Sequence, residues 1–251
     1  MGSPGWTVCY CVQDPRHRRA VPAGHAWHRG DADGPPAASP ETVLPYAQHL
    51  EPFTGELEQA GAYEWLHFDG SAFQDAEAGS SLFSQSALFS ATFDRGRRRR
   101  SRFDEVWLHT VRLVGTHLAE TTWLDGECTA CIFAGTEIHG SEMRRVVFHQ
   151  CKFDSVNLRA TSLKDVVFVD CLLCDVDFSG AELADVSFPG STLDRARFGR
   201  AVLTRVDLRE AAALGIASGI GSLSGAMIST AQLFDLAPAL AQHVGLTVKD
   251  D

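Results

Sequence analysis

Cys131, Cys151 and Cys171 recur at every twentieth position. Three thiols brought together could ligate a soft metal or form a disulfide. A second set of ligand types, Cys9, Cys11, His17, His25 and His28, lies near the N-terminus. It has no C-x-x-C and no matched histidine spacing. Arg95, Arg97, Arg98, Arg99, Arg100 and Arg102 form the one dense basic cluster, of the kind that meets phosphate or an acidic partner. Each set has a plainer reading. Cysteine is also a small residue suited to burial, and three thiols in a line cannot surround a metal tetrahedrally. The N-terminal set falls in polar, Gly/Pro-rich sequence. The arginines lack interleaved aromatics, and residues 51–90 hold seven carboxylates and no Lys or Arg, so the cluster has acidic neighbours of its own chain to neutralise. No G-x-S-x-G, P-loop, dinucleotide fingerprint or H-E-x-x-H occurs. The expectation is therefore no catalytic residue, no metal ligand set and no cofactor.

What positions these residues is a repeat. From 101 to 208 the third residue of each pentad is apolar in all 22 pentads, and the residue two before it is small or β-branched in all 22. A period of five suits neither a helix, where the stripe would spiral, nor a straight strand, where every repeat would change face. The backbone must turn at each pentad, and four right-angle turns close a coil, so one coil takes four pentads. Like residues do recur at every fourth pentad: Val146, Val166, Val186 and Val206; Phe148, Phe168 and Phe188; and the three cysteines. Stacked coils would lie about 4.8 Å apart.

Val156-Asn157-Leu158-Arg159-Ala160 and Ala181-Glu182-Leu183-Ala184-Asp185 resemble the A-(D/N)-L-x-x signature of pentapeptide-repeat proteins, over about 60–230. The resemblance implies a right-handed quadrilateral β-helix of about seven to eight coils, with short C-terminal helices like those of actinobacterial members. The inward set would include Phe133, Phe148, Phe153, Leu158, Leu163, Phe168, Phe178, Leu183, Phe188, Leu193, Phe198 and Leu203, with Cys131, Cys151 and Cys171 at the small position. Quinolone-resistance members resemble B-form DNA and bind DNA gyrase, so the resemblance also carries a DNA-mimic alternative. Residues 101–200 hold 15 acidic and 10 basic side chains, a net of −5. Duplex DNA of the same length, about 35 Å, would carry about 20 charges.

The sequence divides into a disordered lead or linker at 1–40, an N-terminal cap at 41–62, coils over 63–229 and a helical cap at 230–251. Tyr46, Leu50 and Phe53 are expected to cover the first coil. Arg98 falls on a central position, where it would bury a charge, so 95–100 is expected to loop out. Thr230 reads as the N-cap of a helix with Leu233 and Leu236, and Pro238 as the start of a second helix with Leu240. Arg145 should sit between Asp125 and Asp165 on an outward charge ladder. Trp107, Ile132, Val147, Val167, Val169 and Leu172 are apolar at outward positions. They are either an exposed patch or covered by the N-terminal segment. With Leu233, Leu236 and Leu240 they are the candidate interface. No apolar run is long enough to span a bilayer as a helix, and no secretory h-region is visible. The reading is a non-catalytic cytoplasmic interaction or scaffold protein with reduced thiols and a protein partner, either unidentified or DNA gyrase. A homodimer is a further candidate, and direct binding to nucleic acid or membrane is not expected.

Overall fold

A computed structural model describes residues 44–247. The expected lead at 1–40 and its Cys/His set lie outside the described residues.

The pentads build a parallel β-solenoid of about eight turns. Strand partners lie four pentads apart: Thr122 pairs with Glu142 and Glu142 with Ser162 on one face, and Glu127 with Val147 and Val147 with Val167 on the next. Ile132, Lys152 and Leu172 align on the third. The fourth carries single bridges in the order Glu77, Arg97, His117, Glu137, Asn157, Asp177 and Arg197. Strands Glu142–His149 and Ser162–Val169 run round a corner and join the first two faces into one 13-stranded sheet, and an eight-stranded sheet forms the third.

The corner is a backbone event. Every fifth residue from Ala60 to Arg205 has φ between 44° and 69°. In each pentad residues one and three point inward and two and four outward. The left-handed fifth residue turns the chain so that the next pair again faces inward. Most of these corners are not glycine, and a left-handed residue costs about 1 kcal/mol. The bonds between coils hold it: the corner N–H of Asp75 reaches the Asp94 carbonyl at 2.9 Å, and that of Asp185 the Thr204 carbonyl at 3.0 Å.

Inside, central side chains stack column by column. Phe168 lies 5.0 Å from both Phe148 and Phe188, with ring planes within 9°. Phe133 stacks on Phe153 at 4.7 Å, and Phe83, Phe103 and Trp123 make another run. The twelve expected Phe and Leu core residues are all buried. The small position has a second duty. Its hydroxyl or thiol donates to the carbonyl of a central residue 23 positions earlier: Thr136 to Leu113 at 3.1 Å, Ser191 to Phe168 at 2.7 Å, and Cys151 to Cys128 at 3.3 Å. Burying a polar group is tolerable only when it is paired in this way.

The ends depart from expectation. Of the residues expected over the first coil, Phe53 stacks on Phe68 at 4.3 Å beside the two-residue strand Glu51–Pro52, whereas the Tyr46 hydroxyl reaches the Glu105 carbonyl farther along. Residues 47–49 form only a single 3₁₀ turn. At the other end the register slips by one residue, Leu193 pairing with Leu214, and returns by Val206 and Ala226. One helix, Thr230–His243, replaces the two expected, and Pro238 lies inside it. Ser229, not Thr230, is the N-cap, in a reciprocal box with Gln232. Buried Gln232 also donates through Nε2 to the Leu208 carbonyl at 2.7 Å. There the helix takes over the bond that a small inward residue makes in earlier coils.

The loop expected at 95–100 does not form. Arg97 bridges Glu77 and His117 on neighbouring coils, and Arg98 stays in register with 1% exposure. Ala78, the preceding member of its column, is small and leaves space. Gly96 makes the close approach possible: φ is 77°, and a Cβ there would meet the Ala76 carbonyl oxygen at 2.4 Å.

Candidate functional site

The arginine cluster is distributed by the turn of the chain. Arg98 points in, and its neighbours point out, most onto carboxylates of adjacent coils and Arg102 onto Asp104 of its own strand. Arg95 meets Asp75 at 3.2 Å, Arg99 and Arg100 meet Glu120 at 2.5 and 2.7 Å, and Arg102 meets Asp104 at 2.7 Å. The bonds from Arg100 and Arg99 hold the Glu120 carboxyl below its usual range. These cations are already matched, so the cluster is not an open anion surface. Such exposed pairs contribute little each.

The three cysteines are in line and reduced. The Cys131 N–H donates to Cys151 Sγ at 3.4 Å, and the Cys171 N–H to Ser191 Oγ at 2.9 Å, so thiol and hydroxyl serve the same ladder. For Cys131 and Cys151 burial pushes the thiol well above its ordinary range, and for Cys171 the bond with Cys151 comes first and burial second. A raised thiol is a poor nucleophile and metal ligand. Among the described residues no group of three or more His, Cys, Asp or Glu side chains is placed to hold a metal ion.

The outward apolar residues separate into two cases. Trp107 is 2% exposed. It stacks on buried His109, which stacks on Phe89. Tyr46, also buried, donates its hydroxyl to the Glu105 carbonyl at 2.6 Å, two residues before Trp107. The N-terminal segment thus lies over this part of the rod. Burial, then the charges of Glu105 and Glu127, push the Tyr46 hydroxyl above its usual range, and burial lowers His109. Ile132, Val147, Val167, Val169 and Leu172 remain half-buried. Lys152 stands between Ile132 and Leu172 in their column, so only the valines adjoin.

On the charge ladder Arg145 pairs with Asp125, at 2.5 and 2.7 Å, and Arg205 with Asp185, at 2.6 Å twice. Asp165 makes no hydrogen bond to Arg145. A similar pair, Arg195 with Asp175, stands on another corner.

The helix breaks up the remaining candidates. Leu236 is buried and Leu240 half-buried, while Leu233 is 47% exposed. Phe234, not singled out from the sequence, is 74% exposed, and Val244, Leu246 and Met227 are open as well. Its signal was available: Leu233, Phe234, Leu236, Leu240 and Val244 form an apolar band wider than one buried face needs.

A family model described as the pentapeptide repeat region matches residues 122–198 and 141–216. Residues 122–216 are a pentapeptide repeat region. The same coil geometry, with a left-handed corner every fifth residue, runs beyond these bounds, from Ala60 to Arg205. A comparison with curated proteins found no match. Among solved structures the chain is similar to a trypsin-treated variant of QnrB1, a plasmid-mediated fluoroquinolone resistance protein. Identity is 13%, coverage 79% of this chain and 96% of that one, and the TM-score 0.53. It also matches HetL, a pentapeptide repeat protein involved in heterocyst differentiation regulation from the cyanobacterium Nostoc sp. strain PCC 7120. There identity is 16%, coverage 69% and 92%, and the TM-score 0.37. At 13% identity the likeness to the QnrB1 variant is one of fold, and it does not single out an actinobacterial type. No helix among the described residues is long and apolar enough to cross a membrane.

Proposed function

We propose that this protein is a non-catalytic interaction protein, a rigid rod that meets another protein chain through its C-terminal end. The observation that carries this reading is the distribution of exposed apolar surface. Along the coils many of the outward arginines are matched to carboxylates, and Trp107 is covered. Exposed Leu233, Phe234, Val244 and Leu246 gather instead on and just after one helix. The coils also expose Trp65 and Val202, but singly; an apolar cluster gathered at one end is the mark of a protein contact, and aromatic anchors tend to dominate such contacts.

The test compares wild type with Phe234→Asp. Mass in solution is measured at several concentrations, and capture is measured from lysate of the native host. Phe234 is open, so the variant should fold normally. Loss of self-association or of a captured protein in the variant supports the reading. Identical mass and identical capture refute a contact at this end. The DNA-mimic alternative makes a separate demand: inhibition or protection of DNA gyrase in a supercoiling assay at micromolar protein. A gyrase effect that survives Phe234→Asp would shift the interface to the acidic sides of the rod.

A further inference from the structure

Strand Trp107–His109 is buried at all three residues. Its outward side chains, Trp107 and His109, are 2% and 5% exposed, whereas outward residues of most strands are open or half-buried. Outward side chains are covered only by chain outside the coils. Residues 44–50 supply it here. Buried Tyr46 bonds the Glu105 carbonyl, and the chain then runs back along the rod, resting His49 edge-on against Trp65 at 4.8 Å before Glu51 pairs with Leu66. The attachment is thin: among the described residues before Glu51, the Tyr46 bond is the one hydrogen bond to the coils.

His109 cannot be charged in place at low cost. Its Nδ1 is buried and has no hydrogen-bond partner. A neutral imidazole can leave that nitrogen as a bare lone pair, but an imidazolium carries an N–H on both nitrogens. Phe89 and Trp107 stack on the ring at 5.3 and 5.0 Å, so they offer it their faces and no acceptor in its plane. Protonation would therefore bury an unanswered donor together with a charge. Glu127, on the following strand, favours the charged form, yet burial outweighs it and lowers the imidazole. The preceding strand Ala87–Phe89 has no titratable side chain, and the overlying segment brings the Tyr46 phenol, on which Glu105 and Glu127 act.

We propose that residues 44–50 are an acid-released strap, held down while His109 is neutral and let go when it takes a proton, which opens Phe89 and Trp107 to solvent. The sign follows from linkage. The covered form has the lower proton affinity, so the cover is fully present above the ordinary imidazole value of about 6.5 and weakens as pH falls below it. Each pH unit in that range favours the open form by up to about tenfold.

Hydrogen exchange of the full chain, corrected for intrinsic rates, tests this at about pH 7.5 and about pH 5. Protection over 44–50 should fall about tenfold or more at the lower pH, while the coils keep theirs. Equal protection of 44–50 at both values overturns the proposal. His109→Gln cannot take the proton, so it should hold the segment equally at both. The same acid loss in that variant overturns His109 as the trigger and hands the role to His49 or His67, the other imidazoles along the strap. In wild type, the His109 ring followed by NMR should titrate with the midpoint at which protection is lost, and two separate midpoints would refute the coupling without any substitution. Tyr46→Phe, which removes the bond to Glu105, should move the release to higher pH.

Discussion

Replacing Arg98 by methionine should stabilise this protein. Methionine keeps an unbranched chain of similar reach and adapts to irregular space, but it carries no charge. The charge it removes is fully inside the coil and has no carboxylate within it. Burial depresses the guanidinium to about 10, so the group is charged throughout the neutral range. The effective penalty for such an ion is several kcal/mol. Stacking on Phe93 returns about 1–2 kcal/mol of this. The net gain on substitution should be about 1–3 kcal/mol, within the range for replacing buried ions by apolar side chains. For a chain of this size each kcal/mol moves the Tm by about 2–4 °C. Thermal unfolding followed by circular dichroism at 222 nm should therefore show a rise of several degrees. The sign with pH is defined as well. A cation whose folded value is depressed is destabilising while charged, and that effect is relieved only above about pH 10. The gain from methionine should accordingly be the same at pH 6 and pH 9. Arg98→Lys, which keeps the charge but loses the planar stack, should lower the Tm. A lower Tm for Arg98→Met than for wild type would refute this reasoning, because it would mean that the guanidinium is a net stabiliser.

Phe168→Asp should prevent folding, since it puts a carboxylate between two stacked rings. Outward and exposed Lys164→Asp should change stability by no more than about 0.5 kcal/mol, and an unaltered Tm for Phe168→Asp would sink the inward assignment. Cys151→Ser should stay within about 1 kcal/mol of wild type, because Ser191 already shows a hydroxyl in the same ladder. Native Cys131, Cys151 and Cys171 should resist a thiol reagent at pH 8 until denaturant is added. Gln232→Leu removes one of the two donors to the Leu208 carbonyl, leaving the Ala211 N–H at 3.1 Å, and breaks the cap of the helix. It should cost about 1–3 kcal/mol by denaturant titration, and an unchanged midpoint would remove the helix from the stabilising cap. Tyr46→Phe should loosen the N-terminal segment, read as faster hydrogen exchange over 44–50 with the coils unchanged.

The period and identity of the inward residues were legible in the chain because they are one local constraint repeated. Each central Phe or Leu meets the same surroundings as its counterpart one coil away, so the columns of Phe148, Phe168 and Phe188 could be written down before any coil was seen. The same repetition showed that the cysteines belong to packing. The left-handed corners were less visible, since Arg, Asp, Ser and Gly all occupy them and the bonds that hold them come from backbone. Single exceptions were decided only by tertiary structure. Arg98 looked like a break because charge alone was considered. It stays inside because Ala78 leaves space in its column, Gly96 lets the chain approach Ala76, and Phe93 presents a ring. Trp107 looked outward, and it is, yet chain from far upstream lies over that part of the rod. Pro238 looked like a boundary, but a helix anchored by Gln232 on Leu208 runs through it. Repetition specifies the rod from sequence alone, whereas the fate of an exception depends on what a distant coil leaves empty beside it.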